Sequence, residues 1–372
     1  ANKNVVGKEV IPSYNFDKAN VIVSFAADFL SNWLSPVEYS WQYAQGRKLN
    51  KGKKTVSKHV QFETTLSLTG SNADLRVPVK PSQIGTAVVN LYNALASLSG
   101  DSKLNASGSV AEKNITDCAK WLWNNKGNSL VVCGINDISI QTVIAAINKM
   151  LGNYGSTIDI DNFSNCHQGN DEQVATLIDE MKNGKVGAVI VYNSNPVYTL
   201  PGFSEAVSKV GLKVSLSGTM DETASLCDFV CPDNHYLESW NDAEPKKNSF
   251  SLTQPTIAPI FNTRAAQETF MKWLGISGDY HAYIQSVWQK QSSEGFNDYW
   301  NKSLHDGVAE FVAVPVVVTE VPKKDSSPKN NSVEIKEPVQ TTSVSLGDCA
   351  AVIAKTKGGD IELALYEKTG MG

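Results

Sequence analysis

Two kinds of hydrophobic pattern alternate along the chain up to about residue 310. Continuous apolar, β-branched stretches are typical of buried parallel strands, whereas apolar residues at intervals of three and four are typical of amphipathic helices. Strands are predicted at residues 21–23, 62–68, 129–134, 185–192, 212–216 and 228–231. Helices are predicted at 36–46, 84–98, 203–210 and after the N-cap residues Asp137 and Asn170.

This order of elements predicts an α/β fold with two Rossmann-like units, each a parallel sheet with helices on both faces. A polar stretch at residues 99–109 places the first unit at 1–100 and the second, with its C-terminal helices, at 101–312. Prolines among lysine, serine and asparagine predict a linker at 313–342. Strand-like patterns at 349–353 and 360–366 predict that residues 343–372 begin a β-barrel-like domain, which we expect to be incomplete.

Composition narrows the class of protein without identifying it. The chain is 41% hydrophobic and 19% charged, so it can bury sizeable cores and is not disordered throughout. The net charge of −5 argues against electrostatic capture of nucleic acid. A membrane-spanning helix needs roughly 18–20 apolar residues. The nearest candidate, residues 312–321, is interrupted by Pro315. We therefore expect no direct membrane span.

The six cysteines do not predict a metal centre. Only Cys227 and Cys231 are close together, and a metal site there would need two further ligands, of which His235 is the nearest. The alternative is that both thiols are small buried hydrophobic groups. No closely spaced run of cysteines offers an iron–sulfur ligand set, so we predict no metal ligands in this chain.

Polar residues follow four of the predicted strands. In open parallel sheets, ligands bind at the carboxyl ends of the strands, and these residues could bind a nucleotide or a pterin. They could equally form ordinary turns and helix caps. The candidates are Ala27, Asp28, Gly134, Asn136, Asn193, Asn195, Gly218, Thr219, Asp221 and Thr223.

No sequence motif assigns a reaction to the chain. Neither a G-x-G-x-x-G nor a G-x₄-G-K-[ST] motif occurs, so dinucleotide and P-loop binding are not indicated. The five histidines are scattered, and there is no G-x-S-x-G nucleophile motif. We predict no catalytic residues.

Several sequence segments together resemble one family. Residues 221–232, DETASLCDFVCP, resemble the E-T-A-x-x-A-D-x-V-L-P segment of the molybdopterin oxidoreductase superfamily, and residues 73–81, ADLRVPVKP, resemble its A-D-x-x-x-P-I-x-P-G segment. The Asn195-Pro196 ending of a strand is similar too. Residues 27–33, 237–245 and 251–264 resemble a narrower group, the large iron–sulfur subunit of bacterial alternative complex III, a quinol-oxidising respiratory complex. The resemblance covers about residues 14–305.

The resemblance implies the fold of a molybdopterin enzyme without its cofactor, because that half of the family's subunit is thought to hold no molybdenum. Departures from the superfamily pattern agree with this expectation. Residues 25–29, FAADF, stand where cofactor-binding relatives have a Gly-x-Asn-Pro turn, and residues 81–84, PSQI, stand where they have Pro-Gly-Thr-Asp. Cys227 and Cys231 replace an alanine and a leucine, which favours packing over metal binding.

The resemblance also implies a function. We expect a scaffold domain, not catalytic by itself, that supports an iron–sulfur domain located downstream in a full-length protein. Its other partners would be subunits of a membrane respiratory complex, to which it binds on the periplasmic side of the bacterial inner membrane. The alternative is a fragment of an active oxidoreductase that binds molybdopterin guanine dinucleotide with the ten strand-end residues given above.

Overall fold

The structure, a computed structural model, describes residues 1–49, 52, 54–290, 295–310 and 345–366. The strands are β1 (Ile11–Tyr14), β2 (Val21–Phe25), β3 (Lys58–Glu63), β4 (Leu75–Pro78), β5 (Ser129–Cys133), β6 (Ile158–Ser164), β7 (Ala188–Val191), β8 (Leu212–Ser215), β9 (Phe229–Val230), β10 (Asn241–Lys246), β11 (Ser249–Thr253) and β12 (Val308–Glu310). The linker predicted at 313–342 lies outside the described residues.

The α-helices are α1 (Asn2–Val6), α2 (Pro36–Arg47), α3 (Leu68–Ser71), α4 (Ile84–Ser99), α5 (Glu112–Trp123), α6 (Ile138–Met150), α7 (Asp171–Lys182), α8 (Pro196–Thr199), α9 (Phe203–Val207), α10 (Ala266–Trp273), α11 (Tyr280–Gln289), α12 (Phe296–Asp306) and α13 (Leu346–Ile353). The chain divides into two compact units. The first unit is Ala1–Ser164 with the described part of Val321–Gly372, and the second unit is Asn165–Glu320.

A parallel four-stranded sheet in the order β4-β3-β2-β5 organises the first unit. Every residue of β2 and of β5 is buried, as their continuous apolar sequences predict. One face of the sheet packs against α4, α5 and α6 in a large apolar core. The other face packs against α2 and a group of aromatic rings. The predicted α/β class, with helices on both faces of a parallel sheet, is confirmed here.

The free edge of β5 is paired by a side chain instead of by another strand. Asn148 of α6 accepts a hydrogen bond from the Val131 amide (3.1 Å) and donates one to the Val131 carbonyl (2.7 Å). The Asn153 side chain donates to the Asn148 amide oxygen (2.8 Å). Asn148 is 2% exposed, so these bonds satisfy backbone groups that water cannot reach.

The strand predicted at residues 62–68 is placed wrongly, because β3 spans Lys58–Glu63. Its polar residues His59, Gln61 and Glu63 occupy one face and are at most 2% exposed. Polar side chains at alternate positions normally indicate a face that contacts water, whereas here they are buried and hydrogen-bonded to one another. The hydrophobic pattern therefore concealed the start of this strand.

The strand predicted at residues 349–353 is also wrong, because these residues belong to α13. Ser345 begins that helix by accepting a hydrogen bond from the Asp348 amide (3.1 Å). Cys349 and Ile353, one turn apart, are both buried in the core formed with α4 and α6. The strand predicted at 360–366 is absent too, since those residues form no regular element.

Gly85 allows α13 to pack closely on α4. A β-carbon added at Gly85 would lie 2.9 Å from Ile353 Cγ2 and 3.3 Å from Ile140 Cδ1. We expect Gly85→Val to lower the free energy of unfolding by about 1–3 kcal/mol through overpacking. Gly108→Val is the matched control, because a β-carbon at Gly108 would meet no atom within 4 Å. Urea unfolding of the two variants checks this, and equal midpoints would contradict it.

The second unit contains a three-stranded parallel sheet in the order β7-β8-β9. Helices α7 and α9 cover one of its faces, and Ala266 and Phe270 of α10 pack near the other. The strand predicted to be buried, β7, is only partly so: Val191 is buried, but Ile190 is 46% exposed. The antiparallel strands β10, β11 and β12 adjoin a tryptophan-rich core formed with α11 and α12.

The division between the two units differs from the boundary predicted after residue 100. Strand β5 pairs in parallel with β2, so that Val131 is the partner of Val23. Helices α5 and α6 pack on the same core as α4. Residues up to 164 therefore belong to the first unit, and the polar stretch at 99–109 is an internal loop of that unit.

Candidate functional site

Four of the ten strand-end candidates lie in the first unit, where β2 and β5 end side by side. Ala27 and Asp28 follow β2, and Gly134 and Asn136 follow β5. The Gly134 amide donates to the Phe25 carbonyl (2.9 Å). A β-carbon at Gly134 would lie 2.2 Å from a neighbouring backbone carbonyl oxygen, so only glycine fits this close approach of two chain segments.

The Asp28 carboxylate is bound inside its own chain. Its Oδ1 atom accepts hydrogen bonds from the Thr69 amide (3.0 Å) and the Thr69 hydroxyl (2.6 Å). The Asp28 carbonyl accepts from the amides of Ser31, Asn32 and Trp33. These bonds fasten the loop after β2 to α3. An anion bound at this loop would be repelled by the Asp28 carboxylate, and the Thr69 amide and hydroxyl already donate to that carboxylate.

The neighbouring positions in the first unit serve packing and helix capping. Phe29 is fully buried, and its ring stacks on Phe16 with 4.3 Å between the ring centroids. Asp137 accepts from the Ile140 amide (2.9 Å), which confirms it as the N-cap of α6. Asn136, which precedes it, is exposed.

Two of the six candidates in the second unit, Asn195 and Thr223, are hydrogen-bonded to each other, and a third, Asp221, is hydrogen-bonded within the loop after β8. Asn195 Oδ1 accepts from the Thr223 hydroxyl (2.7 Å) and the Thr223 amide (3.2 Å). Asn195 Nδ2 donates to the Glu222 carboxylate (2.6 Å), which lowers the pKa of Glu222. The Asp221 carboxylate accepts from the Ala224 amide (2.7 Å) and the Ser217 hydroxyl (2.9 Å). The bonds between Asn195 and Thr223 join the loop after β7 to the loop after β8.

The remaining three candidates are exposed. Asn193 has a positive φ of 50°, a conformation that asparagine tolerates in turns. The Thr219 amide donates to the Ser217 hydroxyl (3.2 Å). Gly218 lies between Ser217 and Thr219, and a β-carbon added there would have no atom within 4 Å. The structure therefore pairs Asn195 with Thr223, binds Asp221 within its own loop, and leaves Asn193, Gly218 and Thr219 exposed.

A polar cavity of about 340 Å³ lies near the carboxyl end of β4, and sequence reasoning missed it. Its lining includes Lys80, Ser82, Thr86, Ser107 and Glu362. The Glu362 carboxylate accepts from the Ser82 amide and the Ser82 hydroxyl, each at 2.9 Å. These bonds lower the pKa of Glu362. The two residues are 280 positions apart, so no local sequence signal could have revealed the contact.

The thiols of Cys227 and Cys231 make different contacts. Cys227 Sγ donates to the Thr223 carbonyl (3.3 Å), and burial raises the pKa of the Cys227 thiol. Cys231 packs against the apolar cluster of Val214 and Leu216. Within the described residues, no group of three or more His, Cys, Asp and Glu side chains could hold a metal ion. Across that same part of the chain, no helix is long and apolar enough to cross a membrane.

Comparison with known proteins relates this geometry to a class. No family model matches the chain. The menaquinone reductase molybdopterin-binding-like subunit of Nitratidesulfovibrio vulgaris is 24% identical over 311 residues. The match covers 72% of this chain and 45% of that protein, so the chain spans about half the length of this curated relative. Acetylene hydratase from Pelobacter acetylenicus superposes with a TM-score of 0.51 at 11% identity, over 74% of this chain and 49% of that one.

The chain is an α/β protein that shares its fold with acetylene hydratase and has polar loops at the ends of its parallel strands. More narrowly, the sequence match to a molybdopterin-binding-like subunit relates the chain to the molybdopterin oxidoreductases, at low identity. The resemblance found in the sequence is thereby confirmed at the level of the superfamily.

Proposed function

We propose that this chain is a scaffold of the molybdopterin-oxidoreductase type that binds no pterin cofactor and acts within a quinone-linked respiratory complex similar to alternative complex III. It supports an iron–sulfur domain of the same full-length protein and is held on the periplasmic side of the membrane by partner subunits. The proposal is supported by the curated relative, which is named as a molybdopterin-binding-like subunit of a menaquinone reductase.

The single observation that carries the cofactor-free part is the Asp28–Thr69 contact. A pyrophosphate group needs backbone N–H donors at close approach, usually at a glycine turn before a helix. The first such turn presents the Asp28 carboxylate, which is bound by the Thr69 amide and hydroxyl. A second anion at about 4 Å from it would be repelled by roughly 1–4 kcal/mol, depending on the effective dielectric.

Two further contacts in the first unit support the same proposal. Phe29, fully buried among aromatic rings, fills the position where the superfamily pattern has a turn-forming proline. The segment aligned with Pro-Gly-Thr-Asp instead holds Glu362 on the Ser82 amide and hydroxyl. The residues present therefore fit a molybdopterin guanine dinucleotide poorly. Two segments that would contact this cofactor are next to carboxylates of the protein, Asp28 in one and Glu362 at the other.

Isothermal titration calorimetry of the chain with GMP and GDP tests the cofactor-free proposal. We expect no heat of binding in the micromolar range. Micromolar binding that Asn136→Ala or Asn193→Ala weakens would contradict the proposal and favour the alternative, a cofactor-binding fragment of an active oxidoreductase. AMP and ADP serve as control ligands for non-specific nucleotide binding.

Elemental analysis of the purified chain provides a second test of the same proposal. We expect molybdenum, iron and zinc each to be far below one equivalent per chain, because the described residues gather no set of metal ligands. About one equivalent of molybdenum or iron would contradict the cofactor-free assignment.

The assignment to a respiratory complex is tested on the full-length protein in native membranes. After mild detergent extraction, we expect the protein to migrate in size-exclusion chromatography with membrane-spanning subunits in fixed stoichiometry, as identified by mass spectrometry. Recovery of the full-length protein from the membrane-free fraction, without such partners, would contradict this part of the proposal and leave the cofactor tests unaffected.

A further inference from the structure

Tyr43 of α2 and His59 of β3 form a buried hydrogen-bonded pair in the first unit. The Tyr43 hydroxyl oxygen lies 3.1 Å from His59 Nδ1. Tyr43 is 7% exposed and His59 is fully buried. Neither residue is among the strand-end candidates, and neither contributes to the function proposed above. Their pairing therefore needs a separate account.

The surrounding side chains determine which imidazole nitrogen carries the proton. Glu63 accepts from Arg76 Nε (2.6 Å), from the Ser67 hydroxyl (2.6 Å) and from Gln61 Nε2 (3.2 Å). Because the Gln61 amide group donates to Glu63, its oxygen is the atom that faces His59 Nε2, at 3.3 Å. An amide oxygen only accepts, so His59 carries its proton on Nε2.

His59 Nδ1 consequently presents a lone pair to the Tyr43 hydroxyl and is one of the acceptors for its proton. The same hydroxyl oxygen also lies 3.0 Å from the Asn72 carbonyl, so its single proton has two acceptors within reach. Both groups of the pair are neutral at pH 7, since burial raises the pKa of Tyr43 to about 12 and lowers that of His59 to about 4. Tyr43 is thus a buried phenol whose proton lies within reach of the unprotonated nitrogen of a neutral imidazole.

Two nearby carboxylates offset part of the cost that burial imposes on a positive charge at His59. The Asp74 carboxylate accepts from the His59 backbone amide (2.8 Å) and forms a two-point ion pair with Arg47. Glu63 lies beyond Gln61 on the same face of β3. The Arg47 guanidinium is 5.5 Å from the centre of the Tyr43 ring, but its charge is paired with Asp74.

A continuous run of aromatic rings connects Tyr43 with a half-buried tryptophan, Trp33. The centroid separations are 5.6 Å between Tyr43 and Phe29, 4.3 Å between Phe29 and Phe16, 5.0 Å between Phe16 and Tyr39, and 5.7 Å between Tyr39 and Trp33. Tryptophan and tyrosine side chains can each be oxidised by one electron. The run therefore offers a route by which an outside oxidant reaches a phenol that water does not.

We propose that Tyr43 and His59 form a proton-coupled one-electron redox site. A one-electron outer-sphere oxidant removes one electron from the Tyr43 phenol, and the phenolic proton passes to His59 Nδ1 as the O–H bond breaks. The products are the neutral Tyr43 radical, the His59 imidazolium and the reduced oxidant. A one-electron outer-sphere reductant then reduces the Tyr43 radical and is itself oxidised, while the His59 Nδ1–H bond breaks and its proton re-forms the Tyr43 O–H bond. This site is independent of whether the chain binds a pterin.

Photochemical oxidation of the intact chain tests the proposal. The oxidant is a ruthenium(III) polypyridyl complex generated by a light flash, and the readout is pulsed electron paramagnetic resonance after labelling with ¹⁵N-histidine. We expect a long-lived tyrosyl radical that is magnetically coupled to a histidine nitrogen. The Tyr43 hydroxyl lies within hydrogen-bond distance of an imidazole nitrogen, so the coupling is the expected signature of this pair. A long-lived radical without such coupling would overturn the proposal.

Matched variants separate Tyr43 from the other tyrosines. Tyr43→Phe should abolish the long-lived coupled signal, whereas Tyr154→Phe should retain it, because the hydroxyl of the half-buried Tyr154 donates to the Asn2 side chain. Persistence of the signal in folded Tyr43→Phe protein would show that the assignment is wrong. In the unaltered protein, radical formation should be slower in deuterated buffer and should fail below about pH 4, where His59 is already protonated. Formation that is indifferent to both conditions would exclude proton coupling.

Discussion

Replacement of Asn148 by leucine should lower the free energy of unfolding by about 2–5 kcal/mol, because it leaves buried backbone groups without partners. The Asn148 side chain pairs with both the amide and the carbonyl of Val131 on the free edge of β5. Leucine has a similar volume to asparagine but no polar atoms. The loss of stability therefore reflects the unpaired Val131 amide and carbonyl more than the creation of a cavity. The Asn153 side chain loses an acceptor as well.

Chemical unfolding followed by circular dichroism measures this loss. Asn124→Leu is the matched control, since Asn124 is an exposed asparagine at the end of α5 and its replacement should change stability by no more than about 0.5 kcal/mol. Equal unfolding midpoints for the two variants would mean that water or another group replaces Asn148 at the edge of β5.

The sequence predicts the parallel sheets well for a physical reason. Strands buried on both faces need mostly apolar side chains, and β2 and β5, with one serine each, have such sequences and are buried throughout. Helix caps are also local, so Asp137 and Asn170 are found as predicted. By contrast, the sequence pattern does not indicate which strands become neighbours. The boundary was predicted after residue 100, whereas β5 pairs with β2 and the first unit extends to residue 164.

The positions of the candidate residues at strand ends follow from the sequence, but the contacts that these residues make do not. The strand-end residues are polar, as expected for loops that bind ligands. The structure shows Asp28 and Asn195 engaged with Thr69 and Thr223, residues 41 and 28 positions away. Such contacts depend on how loops meet in three dimensions. The buried face of β3 was missed for a similar reason, because its polar residues satisfy one another away from water.

Acid should destabilise the first unit through His59, by up to about 3 kcal/mol between pH 6.5 and 4. Burial lowers the pKa of His59 to about 4 from an ordinary value of 6.5. In this interval the unfolded chain binds a proton at His59 that the folded protein does not bind. The unfolded state is therefore favoured as the pH falls, and the stability present at pH 7 is lost progressively until the folded protein itself protonates His59.

The Asp74 carboxyl group next to His59 acts in a lower range and does not mimic this loss. Pairing with Arg47 lowers the pKa of Asp74 from 3.8, so the stability due to that pair is lost only in more acidic solution. Urea unfolding of the unaltered protein at a series of pH values gives the slope of the free energy of unfolding against pH. His59→Gln keeps a hydrogen-bonding side chain that cannot titrate, and it should flatten the slope between pH 4 and 6.5. His167→Gln, at an exposed histidine, should leave the slope as it is. A steep slope that survives in His59→Gln would place the responsible proton on another group.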